Sequence, residues 1–258
     1  VPVPNDLAGL TDRMMSAGFL AAEEEAEELV ACAGGDIELL AAMVGRRLRG
    51  EPLAWITGRV TFCGVEVSVE PGVYVPRWQS EPLARRAVEC LTHEGVAIDL
   101  CTGSGAIAKV LMAGRPRGRV VACDLDQRAV ACAAANGVEV YQGDLFSALP
   151  AALHVRADVV VGVVPYVPTG ELGLLQRDTF TFESRLSYDG GPDGTAVLRR
   201  VIADAPRYLR RGGTLLLELG GDQVDLLGSE LLRLGYHWIA VLRDAEGDVR
   251  GVEAKLTP

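Results

Sequence analysis

Apolar residues recur at three- and four-residue spacing in "LTDRMMSAGFLAAEEEAEELVACAGG" and again in "DIELLAAMVGRRLRG", the pattern of helices that bury one stripe. Gly34 and Gly35 mark the break between them, and the acidic run Glu23 to Glu25 is expected on a solvated helix face. From Glu51 the texture changes. In "WITGRVTFCGVEVSVEPGVYVPR" β-branched and aromatic residues alternate with polar ones around Gly64, which predicts a hairpin. Beyond Arg77 strand-like and helix-like segments alternate: "GVAIDL", "AIAKVLMAG", "GRVVACDL", "QRAVACAAAN", "VEVYQGDL", "ADVVVGVV", a long helix "TAVLRRVIADAPRYLRR", then "GGTLLLELG". Such alternation predicts an α/β fold with a mostly parallel sheet and helices on both faces. The expected division is a helical domain over 1–50, a hairpin linker over 51–76 and an α/β domain over 77–258.

Charge narrows the function. Among 258 residues, 35 acidic side chains outnumber 25 Lys and Arg, a formal net charge of −10. A nucleic-acid partner is therefore not expected, because backbone binding needs cations to neutralise phosphates. No apolar run approaches the roughly 18 residues of a membrane span, and no basic-then-apolar leader pattern opens the chain. The expectation is a cytoplasmic protein without membrane association. Cys32, Cys63, Cys90, Cys101, Cys123 and Cys132 form no CxxC pair, so they are read as reduced thiols with no metal site. His93, His154 and His237 stand alone and are read as surface or loop residues, not bases.

The chemistry of this fold class lies at the carboxyl ends of the strands. "DLCTGSGAIA", Asp99 to Ala108, places glycines in a strand-to-helix turn, where backbone can approach a ligand closely. The G-x-G-x-x-A within it also matches a dinucleotide fingerprint. Asp99 separates the two readings: a carboxylate sits poorly beside a pyrophosphate but suits a ligand with an ammonium and a sulfonium, such as S-adenosylmethionine. Asp124 ends the next strand, where a carboxylate can accept both ribose hydroxyl hydrogens; NAD would use the same device. Asp144 is read as closing the third strand, placed to take an adenine amino group while Leu145 packs on the ring. Aspartate at a strand end also caps helices. Three acids in this order favour the cofactor.

The blocks "EPLAWITGRVTFCGVEVSVEPGVYVPR", "DLCTGSGAIA", "GDLFSALP", "PYVP", "YDGGPDG" and "LRRGGTLLLELG" together resemble the HemK/PrmC group of class I methyltransferases, and within it an actinobacterial-like branch. That group methylates a glutamine side-chain nitrogen in peptide chain release factors. The resemblance implies a Rossmann-like, seven-stranded, mostly parallel sheet with a small helical amino-terminal domain and a linking β-hairpin. It implies that Cys101, Thr102, Gly103, Ser104 and Gly105 line the methionine end of S-adenosylmethionine, with Asp99 beside them. By the same resemblance Asp124 holds the ribose and Asp144 with Leu145 the adenine, and Leu125 belongs to the cofactor site as well. The acceptor would meet Val163, Val164, Pro165, Tyr166 and Glu183, with Pro165 and Tyr166 in the catalytic turn and Val163 also against the cofactor.

The chain departs from the family at its acceptor turn. The family's Asn-Pro-Pro-Tyr falls on Val163, Val164, Pro165 and Tyr166, so an asparagine that accepts an amide N–H is replaced by a side chain that accepts nothing. Losing one hydrogen bond of this kind costs on the order of 100- to 1000-fold in rate. Ser184 stands where the family usually has proline, and Trp78, Gln79 and Ser80 where it commonly has Pro, Glu and Thr, while Glu81 is kept. Three readings follow: a protein-glutamine methyltransferase acting on a release factor, an S-adenosylmethionine-dependent enzyme with a small-molecule acceptor walled by Trp78, and a non-catalytic S-adenosylmethionine-binding protein. DNA adenine methyltransferases share a similar turn, but the acidic surface argues against them.

Overall fold

The computed structural model describes residues 7–175 and 181–258. Three helices open the chain, α1 (Leu7–Ser16), α2 (Ala22–Ala33) and α3 (Ile37–Leu48). They close on their own apolar cluster of Leu10, Met14, Ala26, Leu29, Met43 and Val44, to which Ile56 adds. Asp36 caps α3, its Oδ1 accepting the Glu38 and Leu39 amides at 3.0 Å each, a contribution of about 1 kcal/mol. The acidic run is not wholly solvated. Glu23 and Glu24 are exposed, but Glu25 receives the Arg47 guanidinium through Nε at 2.5 Å and Nη2 at 3.0 Å, and so ties α2 to α3.

The predicted hairpin is present but starts later than the texture suggested. Leu53–Thr57 forms a short helix, α4, followed by β1 (Arg59–Phe62) and β2 (Val65–Ser68), paired antiparallel around Cys63 and Gly64. Ala54, Trp55 and Ile56 are buried; with Leu53 they form a short unbroken apolar run, which periodicity cannot assign to strand or helix. The hairpin shares a hydrophobic cluster with the large sheet, where Phe62, Val67 and Val69 meet Ile107 and Leu111.

The remainder is α5 (Glu81–Cys90), β3 (Val96–Leu100), α6 (Ala106–Gly114), β4 (Arg119–Asp124), α7 (Gln127–Ala135), β5 (Glu139–Gln142), β6 (Ala157–Gly162), α8 (Ala196–Asp204), β7 (Leu209–Glu218), α9 (Gln223–Arg233), β8 (Tyr236–Arg243) and β9 (Val249–Leu256). Seven strands form one sheet in the order β5-β4-β3-β6-β7-β9-β8. The pairs from β5 to β7 are parallel, and β9 is antiparallel to both β7 and β8. Strand β6 is buried at every position, as a central parallel strand must be. The expected long helix from Thr195 ends early: Pro206 lies in a 3₁₀ turn over Ala205–Arg207, because its ring removes a donor and clashes with a preceding carbonyl, and the residues from Leu209 already belong to β7.

Chain order reverses between β3 and β6. From β3 the chain winds outward through β4 to β5, then returns to β6 on the other side of β3. The carboxyl ends of β3 and β6 therefore diverge into loops running in opposite directions, which opens a crevice at that edge.

Candidate functional site

A cavity of about 260 Å³ occupies this crevice. Its floor is the turn between β3 and α6. Cys101, Gly103 and Gly105 all take positive φ (54°, 57° and 82°), turning the backbone sharply from strand to helix. The turn is held from outside: Thr102 N–H donates to the Cys123 carbonyl at 3.1 Å and Gly105 N–H to the Thr102 carbonyl at 2.8 Å. Asn136 locks it to the hairpin, its Nδ2 donating to the Ser104 carbonyl at 2.9 Å and the Ser68 carbonyl at 2.8 Å.

Three acids stand at this floor in different electrostatic states. Asp99 is 1 % exposed and accepts the Thr102 hydroxyl at 2.6 Å and the Ala108 amide at 3.2 Å on one oxygen. Burial pushes its carboxyl up to about 7, helped by the Asp124 charge and opposed by those two hydrogen bonds. Asp124 accepts Gly103 N–H on Oδ2 and Asp126 N–H on Oδ1, each at 2.9 Å; burial raises it too, against the pull of those amides. Each Asp124 oxygen keeps a lone pair for a further donor. Asp144 is more open and pairs with Arg200 Nη2 at 2.6 Å across the cavity mouth. Burial pushes the Cys123 thiol up to about 12 and raises Cys101 as well, so neither is a thiolate nucleophile at neutral pH.

The cavity brings together Asp99, Cys101, Thr102, Gly103, Ser104, Asp124, Leu125, Asp144, Leu145, Val163 and Pro165, all singled out by sequence. Gly105 does not line it. It serves packing, since a Cβ there would lie 3.0 Å from Val138 Cγ2 and 3.2 Å from Ala133 Cβ. Val164 is not on the cavity floor either: it is 1 % exposed and belongs to the core on the other sheet face, as strand alternation from Val163 requires. Tyr166 stands behind the wall, its hydroxyl donating to Glu218 Oε1 at 3.0 Å and its carbonyl accepting Gln223 Nε2 at 2.7 Å. The "DGGPDG" block explains itself here, because a Cβ on Gly190 would come within 2.7 Å of Tyr166 Cα.

Glu183 is a tether in this structure. It accepts Val75 N–H at 2.9 Å and Arg77 Nη2 at 2.6 Å together with the Tyr188 hydroxyl, and so joins the loop after β6 to the hairpin exit. Trp78 is 63 % exposed and absent from the cavity lining; the stacking wall expected of it is supplied instead by Tyr74, which packs on Tyr188 with ring centroids 5.6 Å apart. The histidines lie away from the cavity and are exposed. Pattern reading missed Tyr74, Arg77, Ser80 and Arg200 as cavity residues; only the Pro76-Arg77 pair after the hairpin hinted at them. Among the described residues no cluster of metal-ligating side chains occurs, and no helix is long and apolar enough to cross a membrane.

This set suits a ligand carrying a cation, a vicinal diol and an apolar plane: a buried carboxylate at Asp99, paired acceptors on Asp124, and Leu125 and Leu145 beside Asp144. The Ser104 hydroxyl, buried without a hydrogen-bond partner, leaves one more polar atom for it. S-adenosylmethionine has these three features.

Comparison with known proteins places the chain. No family model matches it. The release factor glutamine methyltransferase of Geobacter sulfurreducens is 34 % identical over 236 residues, spanning 89 % of this chain and 79 % of that protein. That of Streptomyces coelicolor is 34 % identical over 239 residues, 84 % of this chain and 85 % of the relative, and that of Xylella fastidiosa strain 9a5c is 36 % identical over 228 residues, 82 % of each. Among solved structures, the E. cuniculi Mtq2–Trm112 complex, responsible for methylation of the eRF1 translation termination factor, aligns with TM-score 0.54 at 23 % identity over 72 % of this chain and 99 % of that one. A ribosomal protein L11 methylase from Lactobacillus delbrueckii subsp. bulgaricus aligns with TM-score 0.51 at 16 % identity over 74 % of this chain and 86 % of that one. These two show the shared fold. With the class I methyltransferase sheet, the carboxylates ordered along its strand ends and the extent of likeness to the curated relatives, the chain belongs to the release factor glutamine methyltransferase family and is a methyltransferase.

Proposed function

We propose that the protein methylates the side-chain amide nitrogen of a glutamine in a peptide chain release factor, with S-adenosylmethionine as donor. The observation that carries this reading is the cavity itself, which runs from the Asp99 and Asp124 carboxylates to Val163 and Pro165. Cofactor and acceptor pockets thus share one space. When bound, S-adenosylmethionine supplies a methyl carbon on a sulfonium, whose departure leaves a neutral thioether, so the chain's task is alignment.

Asp124 would hold the ribose through its two oxygens, with Leu125 alongside. Asp144 and Leu145 would hold the adenine, and the turn Cys101 to Ser104 the methionine end. Asp99, buried in the same turn, favours a cation beside it, because a nearby positive charge stabilises its ionised form. An amide nitrogen is a weak nucleophile, and acceptors for its N–H bonds aim its lone pair. The Val164 carbonyl accepts no hydrogen bond from any described residue and is available for one of them.

The small-molecule reading gains no support: its stacking wall, Trp78, faces away, and the relatives are named for a protein substrate. The test is incubation with methyl-labelled S-adenosylmethionine and a release factor, with the product mapped by mass spectrometry. Label on a glutamine is the expected result. Label confined to small molecules would overturn it.

A further inference from the structure

Strands β6 and β7 run side by side with Gly162 opposite Leu217, so the next residues along, Val163 and Glu218, are neighbours at the carboxyl edge. Alternation puts both on one face. Val159, Val161 and Leu216 bury into the cluster on that face, and Val163 packs against it, whereas Val160, Val164 and Leu217 belong to the opposite side. Helix α5 packs against β6 and β7 with residues of that same cluster, Leu83, Ala84 and Ala87. Ser80 sits at its N-terminus and lines the cavity. The sheet face onto which an asparagine at 163 would project therefore carries Ser80 and Glu218.

Both are buried, at 4 % and 5 % exposure, and neither Ser80 Oγ nor Glu218 Oε2 has a hydrogen-bond partner. The other Glu218 oxygen is taken by the Tyr166 hydroxyl at 3.0 Å. The Ser80 hydroxyl is near enough to hold the Glu218 carboxyl down against the upward push of burial, yet the pair stops short of a completed bond. A buried polar atom left unpaired is destabilising unless a partner arrives to satisfy it. Two of them beside the cavity, next to the one position that lost its acceptor, form a polar site shaped for a donor.

We infer that Ser80, oriented by Glu218, accepts the substrate amide N–H that Val163 cannot accept. A hydroxyl can donate its hydrogen to Glu218 Oε2 and still accept through oxygen; the carboxylate fixes which way the hydroxyl points. Ser80 is then an acceptor-binding residue and Glu218 a positioning residue behind it. The inference rests on the glutamine reading above.

The experiment compares wild type, Ser80→Ala, Ser80→Thr, Glu218→Gln and the double variant Ser80→Ala with Val163→Asn, measuring kcat and KM for release-factor methylation and the affinity for S-adenosylmethionine. Ser80→Ala is expected to lower kcat about 100-fold with cofactor affinity unchanged, and Ser80→Thr, which keeps the hydroxyl, to recover at least a tenth of wild-type kcat. Glu218→Gln is expected to lower kcat more than it raises KM. In the double variant the asparagine should restore at least about ten-fold of what Ser80→Ala lost. Should Ser80→Ala lose cofactor affinity through misfolding, Ser80→Cys, whose sulfur accepts only weakly, is read against Ser80→Thr in its place. A wild type that methylates glutamine while Ser80→Ala matches it, or a double variant as slow as the single, overturns the inference alone. A wild type that labels no glutamine overturns the glutamine reading and this inference together.

Discussion

The Gly103 amide donates to Asp124 Oδ2 at 2.9 Å, so the glycine turn after β3 and the carboxylate ending β4 form one unit. Removing the Asp124 side chain takes away both a ligand acceptor and the brace of the turn. Asp124→Ala is expected to weaken S-adenosylmethionine binding by about 1–3 kcal/mol, measured by calorimetric titration. Unchanged affinity would remove Asp124 from the cofactor site.

Glu183 satisfies three donors from two segments, Val75 N–H, Arg77 and Tyr188. Glu183→Ala would leave a buried amide and a partly buried guanidinium without their acceptor, at a cost of about 1–3 kcal/mol in stability. Because it ties down the loop after β6, activity should fall further than stability alone accounts for, with cofactor affinity little changed. Thermal melting and cofactor titration on the same variant check both parts. A variant with wild-type melting and activity would mean that the tether is not needed.

The buried Asp99 makes stability depend on pH. Its carboxyl stands at about 7 in the folded protein against an ordinary value of 3.8, so the folded chain keeps a proton that the unfolded chain releases. The resulting stabilisation is complete below pH 4 and is lost as pH rises through 7. The raised Asp124 acts in the same direction. In ligand-free protein, the melting temperature of Asp99→Asn should fall less than that of wild type between pH 4 and pH 7.5. Parallel curves would show that Asp99 ionises as an ordinary carboxylate.

Gly105 is required by conformation and by space. Its φ of 82° is one that side-chain-bearing residues rarely adopt, and a Cβ would press on Val138 and Ala133. Gly105→Ala is expected to destabilise the fold by about 1–3 kcal/mol, read as a lower midpoint in urea with an unchanged slope. A midpoint equal to wild type would show that the turn can relax around a methyl group.

Much of the fold was legible because its signals are local. Strand β6 reads as an unbroken apolar run because both its faces are covered, and α3 announces itself through Asp36 before a periodic stripe. Local signals also misled where an apolar run is too short to show a period, as at Trp55 and Ile56, or where one proline outweighs a helical run, as at Pro206. The antiparallel pair β8 and β9 carried no clear marker, since β8 is largely half-exposed and its residues follow no clean alternation.

Sequence alone determined the order of the chemistry: three aspartates near successive strand ends and a glycine turn follow from residue type and spacing along the backbone, and the Val163-Val164 departure from the resemblance to a family whose motif has Asn-Pro there. Tertiary structure decided which of those side chains share a space. It turned Val163 toward the cavity and Val164 into the opposite core, made Glu183 a tether, left Trp78 in solvent, and set Ser80 and Glu218 on the face beside Val163. The reason is physical. Ser80 and Glu218 are far apart in the chain, and only strand register and the docking of α5 on β6 and β7 fix which atoms meet.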